Sequence, residues 1–174
     1  MVKLKGDKVS LRALEPDDLN FLYQLENNPE IWEISNTTTP YSKHVLKLYL
    51  ENAHRDIYDV KQLRLCICDT TDKVIGLIDL FDFDPKHLRA GIGIIITEKG
   101  QRNQGAGSEA LRLLMKYAFS ILKLRQLYAN VGEDNAASIH LFKKLGFEEV
   151  GLKKDWVLSE SGFKNEYLFQ KINA

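Results

Sequence analysis

Gly105 and Gly107, with Arg102 and Gln104 just before them and Ser108 just after, are the residues of this sequence best suited to holding an anion. They lie in Gln101-Arg102-Asn103-Gln104-Gly105-Ala106-Gly107, between the apolar run Ile92-Gly93-Ile94-Ile95-Ile96 and a helical pattern that starts at Ser108-Glu109-Ala110-Leu111. In a strand, glycine loop, helix arrangement, consecutive backbone N–H groups converge on one point, and the helix N-terminus adds partial positive charge. Glycine lets the backbone come close because no Cβ stands in the way. The chemistry this would serve is pyrophosphate binding; a glycine turn before a surface helix is the plainer alternative. No Gly-Lys-Ser/Thr follows the glycines, which excludes a nucleoside-triphosphatase loop. A dinucleotide fingerprint would need a third glycine and a place behind a first strand, and both are missing.

A second stretch able to do chemistry is Ile78-Asp79-Leu80-Phe81-Asp82-Phe83-Asp84. Strand alternation predicts Asp82 and Asp84 on one face and Asp79 on the other. Cys66 and Cys68 also alternate on a predicted strand and point the same way, too close for a comfortable disulfide. They read as buried strand cysteines, and no metal site is expected.

The elements that must position these residues follow from periodicity. Lys8 to Leu14 reads as a strand. Pro16-Asp17-Asp18 opens a helix whose apolar face is Leu19, Leu22, Tyr23 and Leu25, and Asn27-Asn28-Pro29 ends it. Residues 30–41 have no clean period and read as a loop or short helical turn. Ser42 caps a second helix expected to run to about Tyr58. Three strands joined by short turns follow, Leu63 to Asp69, Lys73 to Phe83 and Leu88 to Thr97, which predicts an antiparallel meander. After the glycine loop come a helix to about Leu122, a strand from Leu127 to Gly132, and a helix capped at Asp134-Asn135 and ending at Leu145. Gly146 sits where a left-handed cap is expected, and Phe147 to Leu158 and Gly162 to Ile172 form a closing hairpin. The fold class is α+β (mixed α/β): a sheet covered by helices on both faces, one domain over residues 1–174.

Formal net charge is zero, so no global field draws nucleic acid or an anionic membrane. No apolar run approaches the roughly 20 residues needed to span a bilayer. Met1 to Asp7 carries no apolar signal core, so the cytoplasm is the expected compartment.

With both motifs in view, the chain resembles the GNAT acetyltransferase superfamily, and more closely its spermidine and ribosomal-protein N-acetyltransferase branch. The resemblance covers nearly the whole chain. It is carried by Arg102-x-x-Gly105-x-Gly107 and by Asn135-x-x-Ser138…Lys144-Leu145-Gly146-Phe147, in that order and separated by a helix and a strand; Leu11-Arg12-Ala13-Leu14-Glu15-x-x-Asp18 fits as well. It implies a mostly antiparallel mixed sheet of about seven strands. It implies acetyl-CoA as cofactor, with pyrophosphate on the backbone of Gln104, Gly105, Ala106, Gly107 and Ser108 beside Arg102, and pantetheine paired strand-like with Ile94, Ile95 and Ile96. Asn135 matches a position that commonly bonds the pantetheine arm, and it also suits a plain helix cap. Homo-oligomers, dimers by analogy, are implied too.

Acetyl transfer to an amine sets further demands. An alkyl amine with a pKa of about 10.4 must lose a proton first, about 4–5 kcal/mol at neutral pH. A base or a water chain is therefore useful, and Asp79 matches the acidic position of spermidine acetyltransferases on this strand. The oxyanion needs donors, for which a backbone N–H around Ile94 is the candidate. The departing thiolate benefits from a proton. Many family members carry Tyr where this chain has Phe142, which cannot donate and is placed instead to pack on Phe147. Ser138 and His140 are the nearest substitutes, with His140 expected on the helix surface. Another acidic position of the family, on the next strand, is Gly91 here. An acidic cluster of Asp79, Asp82 and Asp84, extended by Glu26, Glu30 and Glu33, would favour a cationic acceptor, and a solvated strand end is the plainer reading of Asp82 and Asp84. Trp32, Tyr41 and Trp156 border the acceptor pocket or simply pack. The acceptor is a primary amine, a polyamine or other small cation, or else a protein N-terminus; an acyl-CoA-binding module without turnover is the alternative from outside catalysis.

Overall fold

A computed structural model describes residues 4–97 and 105–174. The strands are β1 (Ser10–Ala13), β2 (Leu63–Cys68), β3 (Val74–Asp84), β4 (Arg89–Ile96), β5 (Gln126–Gly132), β6 (Glu148–Ser159) and β7 (Gly162–Ile172). They form one seven-stranded sheet in the order β1-β2-β3-β4-β5-β7-β6. The helices are α1 (Leu19–Glu26), α2 (Pro29–Ser35), α3 (Lys43–Glu51), α4 (Ile57–Val60), α5 (Ala106–Ser120) and α6 (Ala136–Lys144). Every neighbouring pair of strands is antiparallel except β4 and β5. That exception follows from connectivity: α5 carries the chain back along the sheet before β5 begins, and a helical crossover leaves the joined strands parallel.

Side-chain alternation sorts the sheet into two faces. Leu65, Ile67, Ile78, Leu80, Ile92 and Leu127 pack in one cluster with α5 and α6. Cys66, Cys68 and Leu77 pack in a second with α1, α2 and α3. Both cysteines are free, buried and on the same face, as alternation requires. Burial, then the nearby Asp18 carboxylate, pushes the Cys66 thiol up to about 12. Asp18 itself is buried and bonded to both terminal nitrogens of Arg12 at 2.8 and 2.9 Å and to the Glu15 N–H at 2.8 Å.

Local chemistry explains where the elements stop. Most of α2 falls in residues 30–41, which have no clean period: Asn28 accepts the Glu30 N–H at 3.0 Å, Pro29 takes the first position, and left-handed Asn36 ends the helix. The second long helix ends at Glu51 rather than near Tyr58. There Asn52 bonds back to the Leu48 carbonyl, and Asp56 starts α4 by accepting the Tyr58 N–H, because short polar side chains compete for backbone groups and break the ladder. Gly146, at φ +84, closes α6 as expected, with the Phe147 N–H bonded to the Phe142 carbonyl and the two rings edge-on at 5.0 Å. Among the described residues, no helix is long and apolar enough to cross a membrane.

Candidate active site

The centre of the site is a gap in the sheet. β4 and β5 pair at Arg89↔Gln126, Ala90↔Leu127 and Gly91↔Tyr128, and among the described residues their pairing ends there. Both strands continue, to Ile96 and to Gly132. The facing edges from Ile92 and from Ala129 onward therefore diverge into a wedge. Backbone groups on such edges need partners, which an extended amide-bearing chain can supply.

One end of the wedge suits phosphate. Gly105 is the residue before α5 and has φ +86, a conformation that strains any residue with a Cβ. A Cβ on Gly107 would touch Ile94, Ile96 and Leu141, so the first turn of α5 lies against β4 and α6. Ser108 is buried, and its hydroxyl has no hydrogen-bond partner among the described residues. A buried unpaired hydroxyl in the first turn of a helix fits an anionic oxygen at that N-terminus. The Lys8 ammonium lies close by, 2.6 Å from where a Cβ of Gly105 would stand. Glu109 fixes this corner: its carboxylate accepts the N–H groups of Asp7, Lys8 and Val9 at 3.1, 2.7 and 2.7 Å. Arg102 and Gln104 lie outside the described residues.

The face toward α1 and α2 is different. Gly91 and Gly93 leave β4 bare there, and Phe81 of β3 spreads over them, edge-on to Tyr128 at 5.9 Å. Charged triads stand on both banks. On the β3 bank Arg64 binds both oxygens of Asp79, its cross-strand neighbour, at 2.9 and 3.0 Å and Glu26 of α1 at 3.0 Å. Beyond β5, Lys164 of β7 binds Glu33 of α2 at 2.8 Å and Asp134 at 2.7 Å. Each triad sets two carboxylates against one cation and so carries a formal excess of one negative charge.

The pattern of the Acetyltransferase (GNAT) domain matches residues 8–148. The chain belongs to the GNAT acetyltransferase family. It is an acetyl-CoA-dependent N-acetyltransferase. It is 35% identical over 144 residues to the spermidine N(1)-acetyltransferase of Escherichia coli (strain K12), covering 82% of this chain and 74% of that one. Its fold superposes on spermidine N-acetyltransferase from Vibrio cholerae in complex with CoA and spermine with a TM-score of 0.85, at 26% identity and 96% coverage of both chains. A second structure of the Vibrio cholerae enzyme, described as dodecameric, matches with a TM-score of 0.78 at 26% identity, over 96% of this chain and 95% of that one.

Within this GNAT fold the sequence-expected residues are distributed as follows. Ile94 and Ile96 point into the cluster under α5 and Ile95 into the opposite one, all on the part of β4 beyond its last β5 pair. Gly105, Ala106, Gly107 and Ser108 form the α5 entry. Asn135 caps α6, its Oδ1 accepting the Ser138 N–H at 3.1 Å. Ser138 is half-buried and His140 exposed. Phe142 is buried between Phe147 and Phe169, so this side chain serves the core.

The acidic stretch departs from simple alternation. The register slips between Phe81 and Asp84, and Asp82 takes φ +48. Asp84 is thereby turned into a cap for the next turn, accepting the Lys86 and His87 N–H groups at 3.0 and 2.9 Å. Asp82 is exposed beside Tyr128, whose phenol is pushed up by burial and then by the Asp82 charge. Asp79 has both oxygens in hydrogen bonds to Arg64. Glu26 and Glu33 do not form one cluster, because Arg64 holds the first and Lys164 the second. Tyr41 has its backbone stapled to the Asn27 side chain at 2.8 and 3.0 Å. Trp32 donates to the Glu26 carbonyl at 2.8 Å, and Trp156 is exposed on β6 under the Lys153 ammonium.

Arg64, Lys164, Tyr128 and Glu109 were not singled out from the sequence. The first-turn acid at Glu109 was the one legible signal. The others depend on partners far along the chain.

Proposed function

We propose that this enzyme acetylates a polyamine in the cytoplasm, by direct transfer from acetyl-CoA while both substrates are bound. The observation that carries the reading is the pair of triads, Arg64 with Asp79 and Glu26, Lys164 with Glu33 and Asp134. Their excess negative charge on both banks of the wedge favours an acceptor with several ammonium groups. The ring of Phe81, laid over Gly91 and Gly93, offers an apolar surface for the methylene segments between them.

In this reading the backbone from Gly105 to Ser108, with Arg102, Gln104 and Lys8, holds the pyrophosphate. The edge of β4 at Ile94, Ile95 and Ile96 and the side-chain amide of Asn135 hold the pantetheine. A β4 backbone N–H at Ile94 donates to the thioester oxygen as it gains charge. Asp79 holds Arg64 in place and contributes charge, Asp82, Glu33 and Tyr41 border the acceptor, and the amine loses its proton through water. Ser138, on the α6 turn below Asn135, donates a hydrogen bond to the departing thiolate and relays to it a proton taken up from water, so that its own hydroxyl is restored.

Self-association is part of the proposal. Leu158 and Phe163 pair across the β6–β7 hairpin, and with Trp156 they are more than half exposed. An apolar edge hairpin of this kind fits a second copy of the chain. Light scattering at micromolar concentration should give a multiple of 20.0 kDa; a monomer would overturn this part.

Thiol release from acetyl-CoA, measured with spermidine, spermine, putrescine, amino sugars, amino acids and N-terminal peptides, tests the acceptor. Release with the tri- and tetra-amines supports the reading. Release with N-terminal peptides alone points to a protein acceptor, and acetyl-CoA binding without release from any of these points to a binding module.

A further inference from the structure

We infer that Lys164 is a built-in stand-in for an acceptor ammonium, occupying Glu33 and Asp134 until a polyvalent amine displaces it, and that it thereby sets which amines the enzyme selects. The inference rests on the polyamine reading above and adds a specificity residue to it.

The two contacts, 2.8 Å to Glu33 and 2.7 Å to Asp134, join elements that are remote in sequence. Glu33 lies on α2, and Asp134 follows the end of β5, whose open edge borders the wedge. Lys164 precedes Glu166, which pairs with Gly132 at that same end. By alternation with buried Phe169 on the opposite side, Lys164 projects from the acceptor face. Its ammonium therefore bridges α2 to the far bank of the wedge.

Exposure separates the cation from its partners. The Lys164 side chain is 24% exposed, while Glu33 is 45% and Asp134 58% exposed. Solution cations can reach both carboxylates without unpacking anything. Exchanging one alkylammonium for another keeps the same charge-assisted hydrogen bonds. Lysine suits this role: its charge is a compact point on a flexible stem, so it can leave along many paths.

Competition of this kind discriminates by valence. A monoamine that evicts Lys164 has one ammonium for two carboxylates and must also present a neutral amine to the thioester. A triamine presents one neutral amine and keeps two cations for Glu33 and Asp134. Lys164 thus raises the threshold for small amines more than for polyamines.

The test compares wild type with Lys164→Met and Lys164→Arg, reading kcat and KM for spermidine and putrescine, KM for acetyl-CoA, and thermal unfolding. Lys164→Met should lower the spermidine KM about two- to fivefold, the range of a partly exposed ion pair, and the putrescine KM by more. Lys164→Arg, a firmer fork for carboxylates, should raise both. The KM for acetyl-CoA should hold its wild-type value in each. Unchanged or higher amine KM values in Lys164→Met would overturn the inference and leave the polyamine reading standing. If Lys164→Met does not fold, an unchanged or lower spermidine KM in Lys164→Arg overturns it equally. A wild-type enzyme that turns over no polyamine would overturn the acceptor reading and the inference together.

Discussion

Gly91 and Phe81 share one volume: a Cβ built on Gly91 would stand 2.2 Å from Cε2 of the Phe81 ring. The missing side chain at 91 and the ring at 81 are one feature. Gly91→Ala should therefore displace Phe81 from its contact with Tyr128 and destabilise the fold by about 1–3 kcal/mol, the usual range for overpacking. In the Phe81→Leu background the same change should cost measurably less. A double-mutant cycle by denaturant unfolding checks this, and additive effects would mean the two residues do not compete.

Gly105 and Ser108 should separate folding from cofactor binding. Gly105→Asp puts a carboxylate and a strained Cβ at φ +86, where pyrophosphate would approach. Affinity for acetyl-CoA should fall at least about tenfold, equivalent to about 1.4 kcal/mol. Ser108→Ala removes a buried hydroxyl that has no partner among the described residues, so the apo protein should be as stable or slightly more stable while acetyl-CoA binds more weakly. Calorimetric titration and thermal unfolding read the two effects separately. Unchanged affinity in both variants would defeat the placement of the pyrophosphate.

Asp18 predicts an acid limb in the stability curve. Burial pushes its carboxyl up, but the Arg12 guanidinium and the Glu15 N–H outweigh that and hold it below the usual carboxylate range. A carboxyl depressed in the folded state contributes stability above its unfolded pKa and loses it as pH falls through the folded value. Asp18→Asn should cost about 2 kcal/mol or more at pH 7. The difference from wild type should shrink as pH falls below the normal carboxylate range. Urea unfolding at a series of pH values measures it, and a constant difference would rule out the ion pair as its source.

Ser138 carries the proton-donor proposal, since Phe142 is sealed between Phe147 and Phe169. Ser138→Ala should lower kcat about tenfold, less than a full general acid contributes because water can take its place, with little change in the KM for either substrate. A kcat that holds would mean the thiolate departs without help from this residue.

What could be read along the chain was whatever is decided by neighbours in sequence. The left-handed Gly105 before α5, the caps at Ser42 and Asn135 and the left-handed Gly146 each depend on a few adjacent residues. So does the alternation that buries Cys66 and Cys68 on one face. The slip at Asp82 was not legible, because a bulge is fixed by how β3 meets β4, and there Phe81 fills the space over Gly91.

Charge pairing lay further out of reach. Asp79, Glu26 and Glu33 read as an acidic cluster, since alternation shows where a carboxylate points but not which cation meets it. Arg64 reaches Glu26 across 38 residues, and Lys164 reaches Glu33 across 131. Those encounters exist only once the sheet order brings β2 beside β3, and β7 beside β5, under α1 and α2. The sequence by itself determined the helix caps and the faces of the strands, because these rest on local backbone geometry and periodicity, and its two motifs carried the resemblance to the family. The tertiary structure alone decided which acids are neutralised, because electrostatic partners are set by distance in space.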